Sequence, residues 1–124
     1  MFLFRFRGRG ERLSVGEART RTGGVRPEAV LLDVREKSEW RTGHAPGAVH
    51  APLTALAAGA PLPAAAARER PLVVICRSGQ RSQRAVRLLA GRGVDAVDVK
   101  GGMIAWAAAG LPVIDERGDG GSIA

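Results

Sequence analysis

Leu72-Val73-Val74-Ile75-Cys76-Arg77-Ser78-Gly79-Gln80-Arg81-Ser82 is the stretch that decides how this chain folds. Its first five residues form an unbroken apolar run, the pattern of a strand buried on both faces of a parallel sheet. A turn follows at once, with Gly79 free to take a conformation other residues avoid. Beyond it, Gln80 to Gly91 reads as a helix. A strand that empties through a tight turn into a helix is half of a βαβ unit.

The same pattern recurs on either side. Ala29 to Val34 (AVLLDV) is a second apolar run, broken only by Asp33, while Ala96 to Val99 (AVDV) and Ala48 to Ala51 are weaker strands. Helical segments are expected over Glu36 to Thr42, Leu53 to Ala58 and Met103 to Ala109. Nearer the start, Glu11 to Ser14 reads as a short strand. Ser14 is the N-cap of a helix through Arg21, closed as a capping box by Glu17 and ended by Gly23-Gly24. Strands alternating with helices predict an α/β fold with a parallel sheet. The Ala- and Pro-rich Ala57 to Arg70 reads as a loose connection with at most a helical turn.

With 124 residues the chain is one domain in length. We place the domain at residues 11–114, preceded at 1–10 by a basic, aromatic arm or extra edge strand. A flexible, polar and Gly-rich C-terminal tail is expected at 115–124. Nineteen Lys and Arg against twelve Asp and Glu give a net charge of +7, nearly all of the excess being arginine. That balance suggests an anionic partner. Three Phe, two Trp and no Tyr leave no stacking platform for single-stranded nucleic acid, so the charge alone does not make a nucleic-acid binder. No apolar run approaches the ~20 residues needed to cross a bilayer, and Met1 to Arg7 is too interrupted by arginine for a secretory signal. A cytoplasmic location and no membrane partner are expected.

Cys76 is the single cysteine, so it has no disulfide partner within the chain. It closes a strand where ligands gather in open parallel sheets. Residues 76–92 carry Arg77, Arg81, Arg84, Arg87 and Arg92 with no acidic residue. A thiol beside arginines and a helix N-terminus favours its thiolate, and successive turn amides form a nest for an anion. Cys76 is therefore the candidate nucleophile, cradled by Arg77, Ser78, Gly79, Gln80 and Arg81. Free cysteine is also a common core residue; its place before a Gly turn and a run of arginines favours chemistry. Ser78 and Ser82 are expected to cap the helix or to hydrogen-bond the sulfur, capping being the favoured role. His44 and His50, with five residues between them, make a poor metal set with one cysteine, and no metal is expected. Trp40 and Trp106 read as packing residues.

Three segments in this order, LLDVRE followed by GHAPGAVHAPL, then CRSGQRS, then GGMIAWAAAGLPV, resemble the single-domain rhodaneses, a sulfurtransferase family, over about Glu11 to Val113. The resemblance implies a mostly parallel five-stranded sheet flanked by helices on both faces. It implies the cysteine loop as active site, and no organic cofactor. It also implies thiosulfate or a similar small sulfur donor, a persulfide on Cys76, and cyanide, a thiol or a protein cysteine as acceptor. A monomer or weak dimer is expected. Asp33, Arg35 and Glu39 match the family's strand-end acid, arginine and helix acid. Asp33, Arg35 and Ser82 are read as supporting residues; a purely structural role is favoured for Asp33, Arg35 and Glu39, the other reading being that Asp33 accepts loop N–H groups or pairs with Arg81. His44 matches the GH-x-PGA turn, whereas His50 stands where asparagine is common and Ala45 where a larger aliphatic is usual.

Two other chemistries resemble this one. Tyrosine phosphatases and arsenate reductases hold five residues between their cysteine and arginine; Cys76 and Arg81 enclose four, and Ile75 precedes the cysteine in place of histidine. The shorter ring suits a sulfur atom better than a tetrahedral oxyanion. The remaining alternative is a non-catalytic rhodanese-like module for sulfur relay or interaction.

Overall fold

Burial is complete along Val30–Asp33 and Leu72–Ile75, the two strands read from continuous apolar runs. The computed structural model describes residues 11–67 and 70–124; the arm expected at 1–10 lies outside the described residues. In chain order the strands are β1 (Arg12–Leu13), β2 (Val30–Asp33), β3 (Val49–His50), β4 (Leu72–Ile75) and β5 (Ala96–Val99). The helices are α1 (Val15–Thr22), α2 (Lys37–Thr42), α3 (Leu53–Ala57), α4 (Arg81–Gly91) and α5 (Gly102–Ala108). The five strands form one sheet in the order β1-β5-β4-β2-β3, every neighbouring pair parallel.

Strand alternation sorts the core into two layers. Leu32, Val34, Leu72 and Val74 face α3 and α4 through Leu53, Leu56, Ala85 and Leu89. Leu31, Val73, Ile75, Val97 and Val99 face α1 and α5 through Ala18, Met103 and Trp106. Each fully buried aliphatic contributes about 1.5–3 kcal/mol relative to exposure. With both faces covered, every central strand position must be apolar or internally paired, which is why β2 and β4 read as unbroken runs.

Local signals set the ends. Ser14 Oγ accepts from Glu17 N at 3.1 Å, and the Glu17 carboxylate accepts from Ser14 N at 3.0 Å, the expected capping box. Gly23 caps the other end of α1. Residues 63–67 make only a helical turn, with Ala66 N bonded to Pro63 O.

The tail departs from expectation. Ile114 bridges His44 on one side and Gly120 on the other, Ser122 N donates to Thr42 O at 2.9 Å, and Ile123 packs on the α1/α5 core layer. Its glycines allow this: a Cβ on Gly121 would lie 2.9 Å from Gly43 Cα, so two backbones touch where side chains would hold them apart. Composition signalled solubility but hid the two isoleucines that anchor the segment.

Candidate active site

Asp33 and Ile75 are register partners, so β2 and β4 release their following residues side by side at one edge of the sheet. From β4 the chain enters the turn at Cys76. Its Sγ accepts from Gly79 N at 3.1 Å and meets Ser82 Oγ at 3.3 Å. The residue is only 1% exposed and its carbon side packs with Val74 and Ala85 in the α4 core layer. Ser78 and Gln80 are exposed above it. The thiol therefore has one apolar and one polar side.

The loop's carbonyls are committed outward. Cys76 O accepts from Met103 N at 2.7 Å and Arg77 O from Ile104 N at 3.0 Å, both in the first turn of α5. Gly79 O accepts from Gln83 Nε2 at 2.8 Å and Arg12 Nη2 at 3.1 Å. Each trans peptide directs its N–H opposite to its carbonyl. The amides of Arg77, Ser78 and Gln80 are thus turned away from those partners, on the inner side of the ribbon. Two glycines make the curve possible. Gly79 has φ +103°, and Gly102 has φ +58° with no room for a Cβ, which would sit 2.6 Å from Arg77 O.

Arg81 points away from the sulfur's own contacts and grips α2: Nη1 and Nη2 donate to Glu39 Oε1 and Oε2 at 2.6 and 2.8 Å. This paired fork holds the Glu39 carboxyl down at about 2, against an ordinary value near 4.5, with partial burial opposing. The same contact raises Arg81, and the charge of Cys76 adds to it. Arg77 is exposed and its Nε donates to the main-chain oxygen of Ala124 at 2.8 Å, so the tail reaches the rim of the loop.

Asp33 does not reach the loop or Arg81. It is wholly buried against Arg35, accepting from Arg35 N at 3.0 Å, Nε at 3.1 Å and Nη2 at 2.8 Å. Arg35, equally buried, also donates to Gly43 O at 2.6 Å. A side chain two residues away, on the same turn, wins over a loop on the neighbouring strand. His50 Nε2 donates to Arg35 O and His44 Nδ1 to Trp40 O, each at 2.7 Å, and the His44 ring stacks on Trp40 at 3.5 Å. Trp106 Nε1 donates to Pro112 O at 2.9 Å. These are packing roles.

Two residues of the site escaped the sequence reading. Asp98 on β5 is 3% exposed and accepts from Ser82 Oγ at 2.9 Å. Arg12 on β1 donates to both its oxygens, Nε to Oδ1 and Nη2 to Oδ2, each at 3.0 Å. Asp98 and, less strongly, the charge of Cys76 raise the Arg12 guanidinium above its usual value, with burial opposing. Of the two roles read for Ser82 the favoured one, capping α4, is not the one found: its hydroxyl bridges sulfur and carboxylate, and Gln80 at the N-cap position makes no side-chain capping bond. The available signal was an acid inside a buried strand, which must find a partner.

Cys76 is thus held at a strand end by a curved loop whose Arg81 is braced by the helix acid Glu39. The rhodanese-like domain family matches residues 15–109. This chain belongs to that family. It is 38% identical over 81 residues to the thiosulfate sulfurtransferase GlpE of Pseudomonas savastanoi pv. phaseolicola, covering 64% of this chain and 74% of that one. It is 33% identical over 93 residues to a sulfurtransferase of Allochromatium vinosum, covering 73% and 83%. The crystal structure of a rhodanese-related protein from Thermoplasma volcanium superposes with a TM-score of 0.72 at 28% identity, covering 85% of this chain and 98% of that one. The five-stranded rhodanese-like architecture expected from the sequence is the one found. Among the described residues, no helix is long and apolar enough to cross a membrane.

Proposed function

We propose that the protein is a thiosulfate sulfurtransferase acting through a persulfide on Cys76. The observation that carries this reading is the Gly79 N–H on Cys76 Sγ at 3.1 Å, in a loop whose Cys76, Arg77 and Gly79 carbonyls are engaged on the outer side. In the first half-reaction the Cys76 thiolate attacks the outer sulfur of thiosulfate. A new S–S bond forms, the S–S bond of the donor breaks, and sulfite leaves with its electron pair. The terminal sulfur now carries the negative charge, and the inward amides of residues 77–80 stabilise it as an oxyanion hole does. In the second half a nucleophile attacks that sulfur and the Cys76 thiolate departs. Cyanide gives thiocyanate; a small thiol or a protein cysteine is the acceptor that fits a cell. Neither half needs a metal or an organic cofactor, and the two-step route predicts ping-pong kinetics.

Arg81 braces the loop. Its fork is filled by Glu39, which argues against phosphatase or arsenate reductase chemistry, where an arginine must face the oxyanion. One observation favours a second reading: Cys76 is 1% exposed and packs in the core, as it would in a non-catalytic module. Mass spectrometry decides between them. After thiosulfate, the wild-type protein gains the mass of one sulfur atom, cyanide removes it, and Cys76→Ser shows neither event. An unchanged wild-type mass would refute the enzymatic reading.

A further inference from the structure

The hydrogen-bond chain from Cys76 Sγ through Ser82 Oγ to Asp98 Oδ2 has spacings of 3.3 and 2.9 Å and is buried throughout. A serine hydroxyl has one proton. With that proton on Asp98, Ser82 presents a lone pair to the sulfur, a partner for S–H and a poor one for S⁻. We propose that Asp98 is a positioning residue that restrains ionisation of Cys76 by holding the Ser82 proton, so that the thiolate is kept basic and strongly nucleophilic toward sulfane sulfur. The inference rests on Cys76 being the nucleophile of the proposed reaction.

The surrounding charges define what Asp98 acts against. From β1, Arg12 grips the Asp98 carboxylate and lends positive charge to the sulfur. From α4, Arg81 lends more, moderated by Glu39 of α2 and by Glu36 beside it. Asp33 at the end of β2 and Arg35 just after it are bonded to each other, and α5 presents no titratable side chain. Asp98 is thus the carboxylate bonded to the sulfur's own hydroxyl partner. When Cys76 ionises, Ser82 must swing its proton from carboxylate to sulfur, and Asp98 keeps only Arg12. When the sulfur becomes the inner atom of a persulfide it no longer carries the charge, and the proton returns to Asp98. The pair therefore favours the loaded enzyme over the resting thiolate. Nucleophilicity falls with thiol basicity along a slope of about 0.4–0.5, so over-stabilising the thiolate slows attack.

The test is the pH dependence of Cys76 alkylation by iodoacetamide, together with the ultraviolet absorbance of the thiolate, neither of which requires sulfur transfer. Asp98→Asn removes a neighbouring negative charge and frees the Ser82 proton. Its midpoint is expected to move down by about one pH unit. The rate constant of the fully ionised protein with thiosulfate should then fall about 3-fold. Ser82→Ala, which fits the space without burdening the fold, moves the midpoint the same way by less, and Ser82→Thr restores the wild-type value. An unmoved midpoint in Asp98→Asn, or a rise in Ser82→Ala, overturns the proposal; the latter result would make Ser82 an ordinary donor to the thiolate. Should Asp98→Asn fail to fold, Ser82→Ala decides alone. Shifted alkylation without persulfide formation would sink the sulfur-transfer reading, and with it the role in attack on sulfane sulfur, while leaving the control of Cys76 ionisation by Asp98 and Ser82 standing.

Discussion

β2 and β4 end side by side in register, yet the two strand ends have been put to opposite uses. At the end of β2, Asp33 and Arg35 are sealed from water and spend their polar atoms on each other and on nearby backbone. At the end of β4, the thiol is nearly as buried, but Arg77, Ser78 and Gln80 of the turn that follows are exposed and the Gly79 amide donates to the sulfur. A buried polar pair with every bond satisfied holds the fold; a buried polar group under an accessible rim with capacity to spare is where chemistry fits. Depth of burial does not separate the two, because both are deep.

Substitutions at the two ends should therefore separate stability from activity. The largest effect is on activity: Cys76→Ser loses persulfide formation completely, with a thermal midpoint close to wild type, measured by mass spectrometry and calorimetry. Next, Arg35→Met strands the Asp33 carboxylate in the core. It should cost about 3–5 kcal/mol in urea denaturation, the usual penalty for breaking a buried pair from one side. Equal destabilisation by both substitutions would erase the distinction between the ends. Gly79→Ala lies between them. Its backbone sits at φ +103° and the new Cβ would meet Arg12 Nη2 at 2.9 Å. A loss of about 1–2 kcal/mol is expected, more than an unstrained alanine would change, along with at least a tenfold loss in sulfur-loading rate.

The last effect depends on pH and concerns Glu39. Its carboxyl titrates at about 2 in the folded protein against about 4.5 ordinarily, held down first by Arg81. A depressed acid contributes stability above its unfolded value and loses it as pH falls through the folded one. Glu39→Gln should leave stability least changed near pH 2 and most reduced above about pH 4.5, seen by urea titrations across that window. A constant difference at all pH values would assign the loss to packing instead of charge.

Much of this was legible in the residues themselves. Continuous apolar runs announced β2 and β4 because burial on both faces leaves no choice of residue, and Ser14 with Glu17 announced α1 because capping is local. The loop around Cys76 was readable because a turn, a glycine and a helix start follow in succession. What escaped depended on register. Asp98 and Arg12 become partners because β1 and β5 pair Arg12 with Asp98, a relation between residues 86 apart that neither neighbourhood encodes. Arg81 likewise finds Glu39 on α2, 42 residues away, not the strand-end acid Asp33. The tail was misread because Gly and Asp dominate its composition while Ile114 and Ile123 decide its placement.

Helix α5 holds the carbonyls of Cys76 and Arg77 from outside, through the amides of Met103 and Ile104. The curvature of the loop is thereby settled when the chain folds, before any donor arrives. Ordering of the receiving groups is already complete at the moment of encounter, so little of the donor's association free energy is diverted into shaping its receptor.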